Sequence, residues 1–360
     1  MPYAIRIHRG RKDTVYAWSP SALETILLCP RKWHFEKSRK VISVALAVGS
    51  FIHRKIEQLR LNPKFKSAQS WANHCRAVWY HFHANRDKLP NTINGQTIEW
   101  KTREDPHLAA GKIVSMTKRH FDRLMSEEPP VIFDCMTKTG KRYRTVEYPF
   151  RFVIDDGIKK RALSGIIDEV RPGMVIRDYK SGYRSYVVRK IQYVFQPTYY
   201  NFGYCTLCHL DPSFRERVGV LDNLAASWGG NPHIISEDVV FHFFTLQNTR
   251  RIKEIRDGRE VEVEIVEEPV VPITKNDFNF FELCQVIDYA EYLRLLMLEH
   301  KSYPAWRGIH CEYCLSKAQC EKMTSNLPIT PIQLYFFSPR QEVKLLTQTT
   351  KQLVFDFFKE

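Results

Sequence analysis

The sequence predicts an α/β (α+β) fold in which a central mixed β-sheet is flanked by helices. Segments with the apolar spacing of helices stand toward both ends of the chain, and segments rich in β-branched and aliphatic residues stand between them. The chain has 360 residues, of which 44% are hydrophobic and 13% aromatic, enough for a substantial core. No internal repeat or low-complexity block is present, so we expect one domain over residues 1–325, followed by a tail over 326–360.

Four helices are predicted before the sheet. Ser19 is typical of a helix N-cap, and Pro20 suits the first helical position that follows it. The other three helices are predicted over residues 46–60, 66–89 and 107–127, with a polar loop around Asn91–Pro106 before the last of them.

The strands and the remaining helices follow in order. Strands are predicted over residues 131–136, 143–155, 159–170, 174–180, 238–246 and 260–266. Helices are predicted over residues 188–210 and 275–300, with a polar stretch over 212–236 and a cysteine loop over 304–325. Helices on both sides of the strands are what an α/β or α+β domain requires.

Two carboxylates and a lysine lie on two adjacent predicted strands. If the turn between these strands centres near Pro172, Asp168 pairs opposite Ile176. Because side chains alternate along a strand, Asp178 and Lys180 share a face with Ile176, and Asp168 joins them across the pair. Such a set suits a hard metal ion such as Mg²⁺ and an attacking water, which indicates phosphodiester cleavage. Charges at an ordinary strand edge are the alternative interpretation.

Charge and composition indicate the kind of partner. The net charge of +14 and the pI of about 9.3 favour a polyanion, and nucleic acid fits better than a membrane surface. No apolar run approaches the roughly 18 residues of a membrane span. The first residues lack the apolar region of a signal peptide, so we expect a cytoplasmic protein, from a bacterial, archaeal or phage-infected cell.

Three of the nine cysteines lie within ten residues of one another. They are Cys311, Cys314 and Cys320. Thiolates this close suit an iron–sulfur cluster or zinc, and both prefer four protein ligands. Cys29 is the candidate for the fourth ligand. A second pair, Cys205 and Cys208, falls in a predicted helix, where buried structural cysteines are expected rather than a haem attachment.

Six segments then follow one another in a known order. They are Ser19-Pro20-Ser21 through Cys29-Pro30-Arg31, Gly49-Ser50-Phe51-Ile52-His53, Gly165-Ile166-Ile167-Asp168, Asp178-Tyr179-Lys180, Gln196-Pro197-Thr198-Tyr199-Tyr200, and the three distal cysteines. In this order the chain resembles the PD-(D/E)XK nuclease superfamily over most of residues 18–325. It is most similar to the iron–sulfur RecB-type branch, which includes CRISPR-associated RecB-like exonucleases and the nuclease domains of AddB.

The resemblance implies a restriction-endonuclease-like core and a role for each matching residue. A catalytic Mg²⁺ or Mn²⁺ would be held by His53, Asp168, Asp178 and the backbone carbonyl of Tyr179. Lys180 would be the catalytic lysine, and Gln196 and Tyr200 would position DNA or that lysine. A 4Fe–4S cluster would be held by Cys29, Cys311, Cys314 and Cys320. Residues 61–130 and 211–270 would be insertions in this core.

The expected activity is metal-dependent cleavage of DNA, with an exonuclease acting on single strands favoured. Aromatic and basic residues beside the site suit stacking on unpaired bases, although helix packing accounts equally well for the tyrosines. They are Tyr183, Arg184, Tyr186, Arg189, Lys190 and Tyr193. A non-catalytic DNA-binding or assembly protein and a zinc protein are the alternatives.

The C-terminal tail and the lack of a helicase motif both suggest partner proteins. Residues 333–337 and 352–358 are short glutamine-then-aromatic peptides that resemble sliding-clamp ligands, and a tail folded back on its own core is the alternative. No phosphate-binding loop of the helicase type is present, so any unwinding would come from another chain. Recombination and repair, phage DNA processing and CRISPR spacer acquisition with an integration complex all remain open as pathways.

Overall fold

The computed structural model describes an α/β protein with several sheets, which confirms the predicted fold class. Structure is described for residues 4–7, 15–38, 41–84, 92–93, 96–100, 105–136, 140–183, 196–228, 236, 238–256, 259–273, 280–300, 314 and 320. No helix in these ranges is long and apolar enough to cross a membrane.

Nine helices are present in the described ranges. They are α1 (Pro20–Leu28), α2 (Pro30–Ser38), α3 (Val44–Leu61), α4 (Ala68–Ala84), α5 (Asp105–Ser126), α6 (Gln196–Leu210), α7 (Pro212–Val218), α8 (Asp222–Ser227) and α9 (Phe280–His300). The predicted start of α1 is confirmed, because Ser19 Oγ accepts a hydrogen bond from Ala22 N at 3.2 Å. Predicted residues 188–195 lie outside the described residues, and the described helix begins at Gln196.

Fifteen strands are present in the same part of the chain. They are β1 (Ala4–Ile7), β2 (Ala17–Trp18), β3 (Val41–Ser43), β4 (Thr92–Ile93), β5 (Gln96–Glu99), β6 (Phe133–Met136), β7 (Arg142–Thr145), β8 (Tyr148–Asp155), β9 (Lys160–Ile167), β10 (Glu169–Arg171), β11 (Val175–Tyr183), β12 (Val240–Gln247), β13 (Thr249–Arg256), β14 (Arg259–Val266) and β15 (Val270–Ile273). The short strands β4 and β5 lie where the sequence predicts a polar loop. Five further strands are not predicted: β1, β2, β3, β13 and β15.

Two four-stranded mixed sheets take the place of the single central sheet. The first has the order β1-β8-β9-β2, and the second has the order β10-β11-β12-β15. In the second sheet β11 runs antiparallel to β10 and parallel to β12. Two predicted strands are each divided: 143–155 is interrupted between β7 and β8, and 159–170 is interrupted at Asp168, which separates β9 from β10.

The turn between β10 and β11 corrects the predicted register. Val170, not Asp168, pairs opposite Ile176, because the turn centres on Gly173 rather than on Pro172. Gly173 has a φ of +75°, a conformation that glycine adopts without a steric penalty. The register moves by two residues, so each side chain keeps its predicted face.

The predicted polar stretch 212–236 contains α7 and α8. Asp211 caps α7 by accepting hydrogen bonds from the amides of Ser213 and Phe214, and Pro212 follows at the first helical position. The Phe214 side chain is 1% exposed. These helices form because each contributes buried apolar residues to the core, despite the polar composition of the segment.

The second sheet lies between two hydrophobic clusters. Ile176 and Phe243 belong to the cluster shared with α1, α6 and α9. Tyr179 and Phe244 belong to the cluster shared with α3, α4 and α5. Because neighbouring residues of β11 and β12 face opposite clusters, both faces of this sheet are covered by helices.

Candidate active site

Asp178 and Lys180 point to the same side of β11 and meet a residue of α6. Lys180 Nζ lies 2.7 Å from Asp178 Oδ2 and donates to Gln196 Oε1 at 3.0 Å. Gln196 Nε2 donates in turn to Asp178 Oδ1 at 3.1 Å. Gln196 is the first residue of α6, so this helix begins at the carboxylate and the ammonium. The three side chains form a closed polar ring.

Asp168 stands beside this ring and meets α3. Its Oδ2 atom accepts a hydrogen bond from the backbone amide of Tyr179 at 3.0 Å. The same oxygen lies 3.4 Å from Nδ1 of His53. The interruption between β9 and β10 thus places the carboxylate where the amide and the imidazole both reach it.

The close approach of α3 to β11 depends on a glycine. A Cβ atom at Gly49 would lie 2.8 Å from Ser181 Oγ, closer than such atoms pack. Gly49 precedes His53 by four residues, so the two share one face of α3. The small residue therefore lets the helix present the imidazole to Asp168.

The charges at the site influence one another. Burial raises the pKa of Asp168 well above its usual range, and the Asp178 carboxylate adds to this effect. Burial lowers the pKa of His53, which favours the neutral imidazole that binds metals. Burial also disfavours the Lys180 ammonium, but Asp178 outweighs this effect and the pKa of Lys180 is raised. Two close carboxylates with a neutral imidazole are a set that a cation would stabilise.

The donor set suits a hard cation that shares its coordination with other molecules. In the described part of the chain, no three His, Cys, Asp or Glu side chains converge tightly enough to hold a metal ion by themselves. Asp178 Oδ2 is buried and accepts no well-directed hydrogen bond, although Lys180 lies close to it. Mg²⁺ commonly takes one or two carboxylates and completes its shell with water and substrate phosphate. The residues therefore fit Mg²⁺ or Mn²⁺ in that way.

Tyr200 lies under the ring, one turn along α6 from Gln196. Its side chain is 8% exposed and packs edge-on against Phe150, with ring centroids 6.1 Å apart. Burial raises the pKa of Tyr200, and Asp178 and Asp168 add to the rise, so the hydroxyl stays protonated. A protonated hydroxyl here is suited to donating a hydrogen bond toward the ring.

Two further carboxylates near His53 were missed by the sequence reasoning. Glu57 lies one turn after His53 on α3 and accepts a hydrogen bond from Thr145 Oγ1 at 2.5 Å. Glu147 donates its backbone amide to the same Thr145 oxygen at 3.0 Å. Burial raises the pKa of Glu147 to about 7, and Glu57 and Asp168 add to the rise. The four-residue spacing from His53 is the signal that could have revealed Glu57.

Of the four proposed cluster cysteines, Cys29, Cys314 and Cys320 lie in the described part of the chain. Cys29 is buried at the junction of α1 and α2. Arg31 donates from Nη1 to the backbone oxygen of Cys320 at 3.3 Å, and its contact with Cys320 Sγ is 3.5 Å. The two residues are 289 positions apart, so Cys320 lies beside α2 although it is distant in sequence. Cys314 is half-buried, and Cys311 lies outside the described residues.

The predicted nucleic-acid contacts fall largely beyond what the structure describes. Tyr183 ends β11, where its backbone pairs with Gln247 of β12. The other proposed contacts and the whole tail lie outside the described residues: Arg184, Tyr186, Arg189, Lys190, Tyr193 and 326–360.

An α/β fold that gathers two carboxylates, a lysine and a histidine in one place is typical of metal-dependent phosphodiester hydrolases. A family model of the PD-(D/E)XK nuclease superfamily matches residues 17–321, which is most of the chain. The chain therefore belongs to the PD-(D/E)XK nuclease superfamily, whose members are generally metal-dependent nucleases. Neither a search of curated proteins nor a search of solved structures returned a match.

Proposed function

We propose that this chain is a metal-dependent deoxyribonuclease, of the type that degrades single-stranded DNA from an end. The observation that carries the proposal is the ring of Asp178, Lys180 and Gln196 beside the Asp168–His53 contact. Apolar residues would stabilise the packing here better than two carboxylates, a lysine and a histidine do. Placing these groups together in a partly buried site costs free energy, and chemistry on a phosphodiester explains that cost.

Four groups would hold the metal ion in this proposal. They are the side chains of His53, Asp168 and Asp178 and the backbone carbonyl of Tyr179. When bound, Mg²⁺ or Mn²⁺ supplies a Lewis acid for the phosphate and lowers the pKa of a water. His53 is suited to its role because burial keeps the imidazole neutral. The hydrogen bond from the Tyr179 amide fixes the orientation of the Asp168 carboxylate.

Lys180 is proposed as the catalytic lysine. Its raised pKa keeps the ammonium charged, and a fixed positive charge stabilises the negative charge that grows on phosphorus oxygens during attack. Gln196 would hold the ammonium by accepting its hydrogen bond, and Tyr200 would donate to the same region from below. These groups are positioned before substrate binds, so little reorganisation is needed during the reaction.

DNA is the proposed substrate, and the preference for single strands rests on sequence. The net charge of +14 favours a polyanion. Tyrosines among basic residues follow β11, and stacking with positive charge is how unpaired strands are bound. Tyr183, Arg184, Arg189 and Lys190 are the proposed contacts. Recombination and repair, phage DNA processing and spacer acquisition are the proposed settings, with a helicase, an integration complex or a sliding clamp as partners.

We also propose a 4Fe–4S cluster, and with it membership of the RecB-like branch. Its ligands would be Cys29, Cys311, Cys314 and Cys320, with zinc as the alternative occupant. The contact of Arg31 with Cys320 supports the proposal, because it brings one distal cysteine to the helix that follows Cys29. The cluster would close a domain over residues 1–325 and leave 326–360 as a peptide for a partner.

Cleavage of labelled single-stranded DNA with Mn²⁺ tests the activity. We expect the wild-type protein to degrade the strand, and Asp178→Asn and Lys180→Ala to lose at least roughly 100-fold in rate, as for the loss of a charge-stabilising group. Asp134→Asn and Lys253→Ala are the matched controls, because they alter exposed ion pairs elsewhere. Full activity in both site variants would reject this site. DNA binding by the wild type without any cleavage would favour a non-catalytic binding protein.

Purification without oxygen tests the cluster. We expect a brown protein with visible absorbance and bound iron, and we expect Cys29→Ser and Cys320→Ser to remove both. Cys135→Ser is the control, because Cys135 lies on β6 and is not a proposed ligand. A colourless protein that contains zinc would replace the cluster with a zinc site.

A further inference from the structure

The elements that carry or directly follow a proposed metal residue also carry the members of a second, buried set. We name this set the buried triad: Arg60 on α3, Glu169 on β10 and Tyr179 on β11. The side chain of Glu169 is fully buried, and Arg60 and Tyr179 are almost so. Burying charges in this way is costly unless they are paired.

The Glu169 carboxylate joins the other two members. The Tyr179 hydroxyl donates to Glu169 Oε2 at 2.7 Å. The Arg60 guanidinium lies beside the same oxygen, with Nε at 3.3 Å, as an ion pair. Arg60 is itself anchored, because it donates to the backbone carbonyls of Leu124 and Glu128 at the end of α5. One carboxylate oxygen thus connects α3, β10 and β11.

The same three elements connect again at the metal site. Asp168 directly precedes Glu169, and its Oδ2 accepts from the backbone amide of Tyr179. His53 lies two turns before Arg60 on α3 and contacts that Asp168 oxygen. Any change in the spacing of the triad would therefore change the distances between the proposed metal ligands.

A buried salt bridge further back keeps β11 in place. Arg177 donates from Nη1 to Glu127 Oε2 at 2.6 Å, and its guanidinium lies 3.8 Å from Glu169. Burial disfavours the ionised Glu127 carboxyl, but the hydrogen bond and charge of Arg177 outweigh burial and lower its pKa to about 2. This pair braces the triad but does not touch His53 or Asp168.

We propose that Glu169 is a positioning residue, which acts through Tyr179 and Arg60 to set the separation of His53, Asp168 and Asp178. The inference rests on the proposed function, since it assigns the triad a role in holding the metal site. It predicts that a substitution in the triad weakens Mn²⁺ binding, whereas a substitution elsewhere that lowers the melting temperature equally does not. Residues that orient metal ligands commonly contribute 10-fold to 100-fold to affinity.

Tyr179→Phe tests the proposal, because it removes the hydroxyl and leaves the backbone amide in place. Mn²⁺ binding to the full-length protein is measured by electron paramagnetic resonance, without DNA. We expect the dissociation constant to rise roughly 10-fold. In parallel, the Mn²⁺ concentration for half-maximal cleavage should rise by the same factor.

Tyr148→Phe is the matched control. It also removes a tyrosine hydroxyl that donates to a carboxylate, Asp211, at 3.1 Å. That bond joins β8 to the start of α7 and involves none of the three metal-bearing elements. We expect its Mn²⁺ affinity to equal that of the wild type, even where its melting temperature falls as far as that of Tyr179→Phe.

Glu169→Gln is the second variant, and Arg60→Lys replaces it if it does not fold. Either is expected to weaken Mn²⁺ binding, and adding Tyr179→Phe should weaken it little further, because both changes break one contact. Wild-type affinity in the folded triad variants overturns the inference while leaving the nuclease intact. A wild-type protein that neither binds Mn²⁺ nor cleaves DNA overturns the proposed function itself.

Discussion

At the residue scale, one carboxylate oxygen contacts two different elements of the site. Asp168 Oδ2 contacts both the Tyr179 amide and the His53 imidazole, so a single carboxylate fixes a strand and a helix. The interruption of the strand at Asp168 makes this possible, because a residue in regular β-structure would have its amide neighbours engaged in the sheet. Its position explains why substitution of Asp168 is expected to harm both the proposed chemistry and the local structure.

Glu147 gives a prediction on stability and pH in the absence of metal. Burial raises the pKa of the Glu147 carboxyl in the folded state to about 7, above the ordinary value of 4.5. Between these values the folded state binds more protons, so the free energy of unfolding falls as pH rises and levels off above pH 7. Glu147→Gln removes this penalty. We expect a melting temperature higher by about 2–4 °C at pH 8, as for roughly 1 kcal/mol after solvent screening.

At pH 4 the same variant and the wild type should melt together, because the carboxyl is then protonated in both states. Thermal unfolding followed by circular dichroism across this range, with chelator present, provides the measurement. If the difference in melting temperature between the wild type and Glu147→Gln is the same at pH 5 and pH 8, the pKa of the Glu147 carboxyl is not raised in the folded state.

Residue spacing predicted the faces of the site but not all of its members. The alternation along β11 places Asp178 and Lys180 together, and this survives the corrected register because the shift is by two. Glu147 has no such signal, because it lies between β7 and β8, which the sequence predicts as one continuous strand. Its approach to His53 depends on how β7 and β8 separate, which is a property of packing and not of local pattern.

At the scale of the elements, the Phe150 ring determines how closely β9 and α6 approach β8. A Cβ atom at Gly165 of β9 would lie 2.5 Å from this ring, and one at Gly203 of α6 would lie 2.7 Å from it. The ring fills the space that both glycines leave, and Tyr200 packs against its edge. The position of α6, and so of Gln196 and Tyr200, depends on this packing.

Gly203→Ala is expected to destabilise the protein by about 1–2 kcal/mol. Overpacking against Phe150 costs roughly 1–3 kcal/mol, and the helix propensity of alanine returns up to about 1 kcal/mol. Gly111→Ala is the matched control: Gly111 lies in α5 with nothing within 4 Å of the added Cβ, so it should be stabilising. Chemical denaturation measures both. A Gly203→Ala protein as stable as the Gly111→Ala protein would show that Phe150 yields freely.

Turn and cap signals show which elements the sequence can specify. Ser19 with Pro20 correctly predicts the start of α1. Asp211 with Pro212 carries the same signal and begins α7, yet the polar composition after it favours a loop. The outcome there is decided by burial of Phe214, which depends on contact with Phe133 and Tyr148 from distant strands.

At the scale of the whole molecule, contacts between distant parts of the chain connect its first and last described elements. Trp18 Nε1 donates to Glu291 of α9 at 3.3 Å, and the Arg294 guanidinium lies over the Tyr16 ring. With the Arg31–Cys320 contact, these connect the segment from Tyr16 to Arg31 with α9 and Cys320. If a cluster bridges Cys29 and Cys320, it closes a loop that contains nearly the whole domain.

Removal of the proposed cluster should therefore lower the stability of the entire domain. A cross-link that closes a loop of this length raises the free energy of the unfolded chain by about 5–6 kcal/mol in the chain-entropy account. We expect Cys320→Ser to lower the melting temperature by more than Cys135→Ser does. Differential scanning calorimetry of both proteins, purified without oxygen, makes the comparison, and equal melting temperatures would mean that no such cross-link exists.

The parallel pairing of β11 with β12 has a consequence for the order of folding. The hairpin of β10 and β11 closes through a short turn, whereas Val175 pairs with Val240 and the first sheet pairs Ala17 with Ala162. Pairings between residues far apart in sequence form slowly because the intervening chain loses entropy first. We therefore expect Asp168 and Asp178 to become neighbours early in folding, and His53 and Gln196 to reach them with the later contacts. During refolding, Mn²⁺ binding should appear after most of the secondary structure has formed.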